Sequence, residues 1–237
     1  MDAINRRQFH GATAGAVGAL LLLTIQHAQA LSLSDLTGAE ASKGLKTALE
    51  RGALAAIGSL GRQDGFLSNP KVRIPLPGFL EDAASLMRKL GQGQRIDELV
   101  TSMNRAAETA VPKSRDLLVG AVKSMNVTDA KKILSGGDTS VTSFFEEKTR
   151  DPLGVQFLPV VTQATQKVGL VEQYNRVAKK AAGLGLLKAE NANLQQYVTG
   201  KTLDGLYLMI GEEEKKIRKD PVGTGSAVLK KVFGAMK

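Results

Sequence analysis

Three polar groupings in this 237-residue sequence have residue types and spacings that could do chemistry. In "NRAAE", Asn104, Arg105 and Glu108 interrupt an apolar stretch, and helical spacing sets Glu108 one turn beyond both of its neighbours. Arg offers a planar fork of donors and Asn a paired donor and acceptor. The trio therefore fits either an anionic or amide-bearing ligand or a structural knot tying one helix to others. In "GGDTSVT", Asp138, Thr139 and Thr142 follow two glycines at a helix start. The exposed backbone N–H groups there can bind an anion or be capped by Asp138 itself. Asp204, Glu212 and Glu213 add carboxylates that could meet Glu108 in space. Two carboxyl groups about 5 to 9.5 Å apart can hydrolyse a glycosidic bond. Glu108, Asp138, Asp204 and Glu213 are thus the catalytic candidates, and Asn104, Arg105, Glu108, Asp138, Thr139 and Thr142 the ligand-binding candidates.

Other chemistry is excluded by what the chain lacks. It has no Cys, and its two histidines, His10 and His27, precede an expected signal cleavage, so the mature chain would have neither residue. Ser-His-Asp and Cys-His catalysis, zinc sites of the usual kind, and haem or iron–sulfur ligation through those residues fall away. No metal or cofactor is expected. "SKG" at Ser42 and "TGK" at Thr199 match no nucleophile motif, and "GLGLLKAENAN" has glycines but neither the preceding strand nor the "GK[ST]" of a phosphate loop.

The elements that must position these residues read as helices. Leu45, Leu49, Ile57 and Leu60 mark one buried stripe over 40–60. A helix over 79–90 ends at Gly91 and Gly93. Ile96, Leu99, Val100, Met103, Ala107, Ala110 and Val111 form the clearest amphipathic face, closed by Pro112, which opens a helix with Leu117, Leu118, Ala121, Val122 and Met125. Thr128 with Asp129 predicts a further start, and Gly136 with Gly137 a stop. A helix with Val141, Phe144 and Phe145 is expected to close at Pro152, with others over 156–168 and 171–182. Leu203, Leu206, Tyr207, Ile210 and Ile217 face inward on a last long helix, whose "EEEKKIRKD" pairs Glu212 with Lys216 and Glu214 with Arg218 as solvated surface pairs. A short amphipathic tail, "SAVLKKVFGAMK", follows. Only 64–76, with Asp64–Gly65, Asn69–Pro70 and Pro75, and Pro77 just beyond, breaks the helical period. It predicts a small extended or β-hairpin insert and a candidate binding loop. The expected fold is all-α, a single domain over 31–237 of about seven to nine helices.

The N-terminus reads as an address. Arg6 and Arg7, with Phe9 two places on, precede the uncharged run Gly11 to Ile25, and small residues Ala28 and Ala30 mark a cut before Leu31. This is the pattern of a cleavable twin-arginine export signal over 1–30. Fifteen residues rising about 1.5 Å each fall short of a hydrocarbon core of about 30 Å, so no permanent span is expected after cleavage. The formal charge of +9 becomes +8 when the first 30 residues, with Arg6, Arg7 and Asp2, are removed. That favours anionic envelope components as partners, with a protein partner as the other expectation. Nucleic acid is disfavoured because aromatic residues make up only 4% and form no stacking set.

Five stretches in order, "DGFLSNPKVRIPLP", "MNRAAETAVPKSRDL", "DAKKILSGGDTSVTSFF", "YVTGKTLDGLYLMIGEEEKKIRKDP" and "LKKVFG", resemble the bacterial family called domain of unknown function 4197. The resemblance runs from about Leu45 to Gly234. It implies an exported, mostly α-helical bacterial protein and no particular reaction. Three functions remain open: a non-catalytic binding or envelope-interaction protein, a carboxylate-dependent hydrolase of envelope glycans, and a carrier for a lipid-like ligand. A periplasmic or secreted location is expected for all three.

Overall fold

A computed structural model of the protein describes residues 38–137, 139–166, 169–183, 185 and 193–220. The signal residues Arg6, Arg7, Phe9, Ala28, Ala30 and Leu31, together with Asp138, most of "GLGLLKAENAN" and the amphipathic tail, lie outside the described residues. The helices are α1 (Gly38–Leu60), α2 (Glu81–Lys89), α3 (Gly93–Ala110), α4 (Arg115–Ser124), α5 (Val127–Ser135), α6 (Ser140–Thr165), α7 (Val171–Gly183) and α8 (Leu194–Lys219). Single 3-10 turns, Gly78–Leu80 and Val111–Ser114, lead into α2 and α4.

The centre of the fold is the pair α6 and α8, each of 26 residues, packed along their length. α1 lies across α8, α3 lies across α6, and α4 fills the angle between α1 and α6. The all-α expectation holds, but α6 corrects the reading of two helices divided at Pro152. Pro152 and Pro159 both lie inside α6. A proline in a helix removes one N–H and crowds the carbonyl four residues earlier, which usually breaks the helix. Both prolines here are exposed and two turns apart, so the disturbed side of the helix faces water. On the opposite side Val141, Phe145, Thr149, Leu153, Phe157, Val161 and Thr165 recur every four residues and are all buried. That continuous apolar stripe carries the helix through both breaks.

Residues 61–77 form a strap, and no β-strand occurs among the described residues, which corrects the hairpin expectation. Consecutive turns come first. Asp64 takes φ 64°, and Gly65 sits so close to α1 that a Cβ would stand 2.3 Å from the Leu60 carbonyl oxygen. Only glycine fits there. Lys71 N–H donates to the Asn69 Oδ1, an Asx turn, and residues 73–77 then run extended. The extended part finds no second strand because one side chain on α3 replaces it. Ile74 N–H donates to Asn104 Oδ1 at 2.8 Å, and Asn104 Nδ2 donates back to the Ile74 carbonyl at 2.9 Å. The same strap buries Phe66, Val72, Ile74 and Leu76 in the core.

Candidate ligand pocket

The structure brings Asn104, Arg105 and Glu108 together with the strap. Asn104 Nδ2 also donates to the Val100 carbonyl at 2.8 Å, so its buried amide is committed to backbone on both sides. Glu108 is 4% exposed, and its Oε1 accepts the N–H groups of Phe66 at 3.0 Å and Leu67 at 3.1 Å. Its Oε2 accepts from Arg105 Nη1 at 2.6 Å, while Arg105 Nη2 reaches Asp64 Oδ1 at 2.8 Å. The hydrogen bonds to Glu108 and then Asp64 raise the Arg105 pKa above its ordinary value. The geometry is that of a clamp closing the strap onto α3.

The remaining carboxylates stand apart. Asp204 pairs with Arg150 at 2.6 Å and with Lys201 at 3.6 Å, while Glu213 pairs with Lys216 at 2.6 Å. Asp204 and Glu213 are nine residues apart on α8. That places them about 13 Å apart along the axis and on opposite faces, outside the range of a glycosidase pair. Glu212 pairs with Lys71 of the strap and with Lys215, rather than with the Lys216 expected from spacing. Glu214 and Arg218 do pair, at 2.8 Å, but as a largely buried contact rather than a solvated one. Arg218 also donates to the Ile133 carbonyl and to Ser140 Oγ, fastening the end of α5 and the start of α6 to α8. Thr139 is the residue before α6 and makes no side-chain capping bond; Thr142 packs against Gly211 of α8. Among the described residues no three His, Cys, Asp or Glu side chains gather as a metal site.

What sequence reasoning missed is an apolar pocket. The exit of the strap supplies Leu76; the turn into α2 and the inward stripe of α2 supply Leu80, Ala84 and Met87; α3 supplies Ile96 and Leu99. The far wall comes from Leu170, Gln173, Tyr174 and Val177 at the start of α7. The space is about 200 Å³ and opens to the surface. It exceeds the cavity of about 150 Å³ known to take benzene, and lies below the roughly 300 Å³ at which drug-sized sites begin. It suits one ring or the end of an alkyl chain.

Tyr174 gives the pocket a polar point. Its ring meets Phe79 edge-on, with centroids 6.1 Å apart, and only 3% of the residue is exposed. Its hydroxyl is buried without a hydrogen-bond partner. Leaving such a group unpaired costs about 1 to 3 kcal/mol, a cost that a ligand acceptor would remove once a shift of the wall uncovers the hydroxyl. Burial first, and Tyr197 second, push the phenol pKa well above its ordinary value, so Tyr174 is a donor at any physiological pH. The hydroxyl of Tyr197 is occupied, donating to the Pro75 carbonyl at 3.0 Å. The sequence signal that could have found the pocket is the excess of apolar residues over 79–90, where Leu86 on α2 and Leu90 just after it are too many for one buried stripe.

A family model described as "Protein of unknown function (DUF4197)" matches residues 35–234. No curated protein and no solved structure matches the chain.

Proposed function

We infer a function for this chain, which belongs to the DUF4197 family and so inherits no assigned reaction, from its pocket. The protein is a non-catalytic binding protein of the bacterial envelope that takes a small apolar or lipid-like ligand between α2, α3 and α7. The single observation that carries this reading is the apolar pocket of about 200 Å³ with the unpartnered Tyr174 hydroxyl buried in its wall. Ligand pockets combine mostly apolar walls with few polar groups that fix orientation. An alkyl chain or ring bearing a carbonyl, carboxylate or hydroxyl oxygen satisfies both features. The envelope location rests on the Arg6–Arg7 signal pattern. The clamp supports a binding role over a hydrolytic one, because Glu108 is bonded to the strap and holds structure in place.

Native mass spectrometry of protein purified from a periplasmic extract tests the reading. One apolar molecule per chain is expected, lost in Ala84→Phe and in Met87→Trp, each of which fills the pocket. Chains that are repeatedly empty, or that retain the ligand equally in both filling variants, contradict it.

A further inference from the structure

The rim of the pocket carries an unusual surface. Of the eight large hydrophobic residues exposed among the described residues, four stand here: Phe79 at the entry to α2, Leu86 on it, Leu90 just past its end, and Val177 on α7. Leu90 is 69% exposed and Leu86 58%, one helical turn apart, and Leu90 stands one turn beyond the pocket residue Met87. Val177 both lines the pocket and is 46% exposed. Large apolar side chains concentrated on one rim mark a surface that is covered in use.

The charges beside this rim name the cover. Acidic residues occupy the first turns of the two helices, Glu81 and Asp82 on α2 and Glu172 on α7. Basic residues occupy the later turns, with Lys89 beside Leu90 and with Arg176 and Lys180 flanking Val177, all exposed. An exposed leucine pair flanked by cations that can reach past it is the arrangement an interfacial helix uses on anionic lipid. No described helix is long and apolar enough to cross a bilayer, so the contact is peripheral.

We propose that the α2–α7 rim docks this protein on an anionic phospholipid bilayer, inserting Leu86, Leu90 and Val177 between headgroups that Lys89, Arg176 and Lys180 neutralise. Docking sets the mouth of the pocket against the membrane, where a lipid-like ligand can enter without crossing water. The inference rests on the ligand-binding reading for its purpose, and its test separates the two.

The chain has no Trp, so a single introduced one reports its own surroundings. Leu90→Trp is titrated with vesicles of phosphatidylglycerol and phosphatidylcholine at low salt, and with pure phosphatidylcholine vesicles. Leu208→Trp serves as the control, exposed on α8 between Asp204 and Glu212. A blue shift is expected for Leu90→Trp with anionic vesicles only, reversed by salt. Adding Arg176→Glu and Lys180→Glu should lower the partition coefficient about tenfold or more. A membrane-bound protein with an empty pocket would uphold docking and remove the ligand reading. No shift, a shift equal with neutral vesicles, an equal shift for Leu208→Trp, or partition unchanged by the charge reversals overturns docking, whatever the pocket binds.

Discussion

The clamp on α3 and the pocket behind α2 are both built around polar groups taken out of water, and they treat them in opposite ways. At the clamp, Asn104 makes three hydrogen bonds, and both carboxylate oxygens of Glu108 are bonded. In the pocket the Tyr174 hydroxyl makes none. Buried polar groups in folded proteins are overwhelmingly paired, because an orphan costs more than a bond returns. A complete network therefore indicates architecture, and a single donor left over behind the wall of an apolar space is a group that a ligand can pair once the wall shifts.

The contrast can be broken by substitution. The largest effect is expected from Glu108→Ala, which strands the N–H groups of Phe66 and Leu67 and removes the partner of Arg105. A loss of about 3 to 5 kcal/mol is expected, visible as a melting temperature lower by roughly 10 °C or more. Next comes Asn104→Leu, which keeps the volume but unpairs Ile74; a loss of about 2 to 3 kcal/mol in urea unfolding checks it. Gly205→Ala follows. A Cβ there would stand 2.8 Å from Phe66 Cε1 of the strap, and calorimetry should register about 1 to 3 kcal/mol of overpacking.

Tyr174→Phe inverts the sign. It removes an unpaired hydroxyl and leaves the ring, so stability is expected to stay level or rise by up to about 1 kcal/mol, while affinity for oxygen-bearing ligands falls. A loss comparable to that of Asn104→Leu would mean that Tyr174 belongs to a structural network after all.

The remaining effect is confined to alkaline pH. All three tyrosines have raised pKa values, Tyr197 and Tyr207 to about 12, with burial as the first cause. A group whose folded pKa lies above its unfolded value of about 10 contributes stability that is present below pH 10 and lost as pH rises through the folded value. The melting temperature should therefore decline between about pH 10 and 12, less steeply in Tyr174→Phe.

The sequence made much of the fold legible where apolar periodicity was strong. The stripes of α1, α3 and α8 fell at helical spacing and became helices with matching buried faces. It also singled out Asn104, Arg105 and Glu108, and left open the knot that the geometry now displays. The failures have specific causes. Pro152 reads locally as a stop, and only the buried face of α6 overrides it. The strap, with its prolines and Val72 and Ile74, has the local preferences of a hairpin, yet its partner is an amide from residue 104, thirty positions away. Spacing on α8 gave Glu214–Arg218 correctly as a pair, but its burial comes from neighbouring helices, with Glu214 beside Ala48, Leu49 and Gly52 of α1 and Arg218 bonded to α5 and α6. The pocket was illegible because no single segment contains it. α2, α3 and α7 are ordinary amphipathic helices, and the space arises only where three of their faces fail to close.

The most direct test of a binding role is a titration of purified wild-type protein with the fluorescent apolar probe N-phenyl-1-naphthylamine, alongside Ala84→Phe, Met87→Trp and the clamp variant Arg105→Ala. Saturable binding at one site per chain is predicted for wild type and for Arg105→Ala. At least a tenfold loss is predicted in both filling variants, with unchanged helical circular dichroism. Equal probe binding in the filling variants, or none in the wild type, would contradict the account.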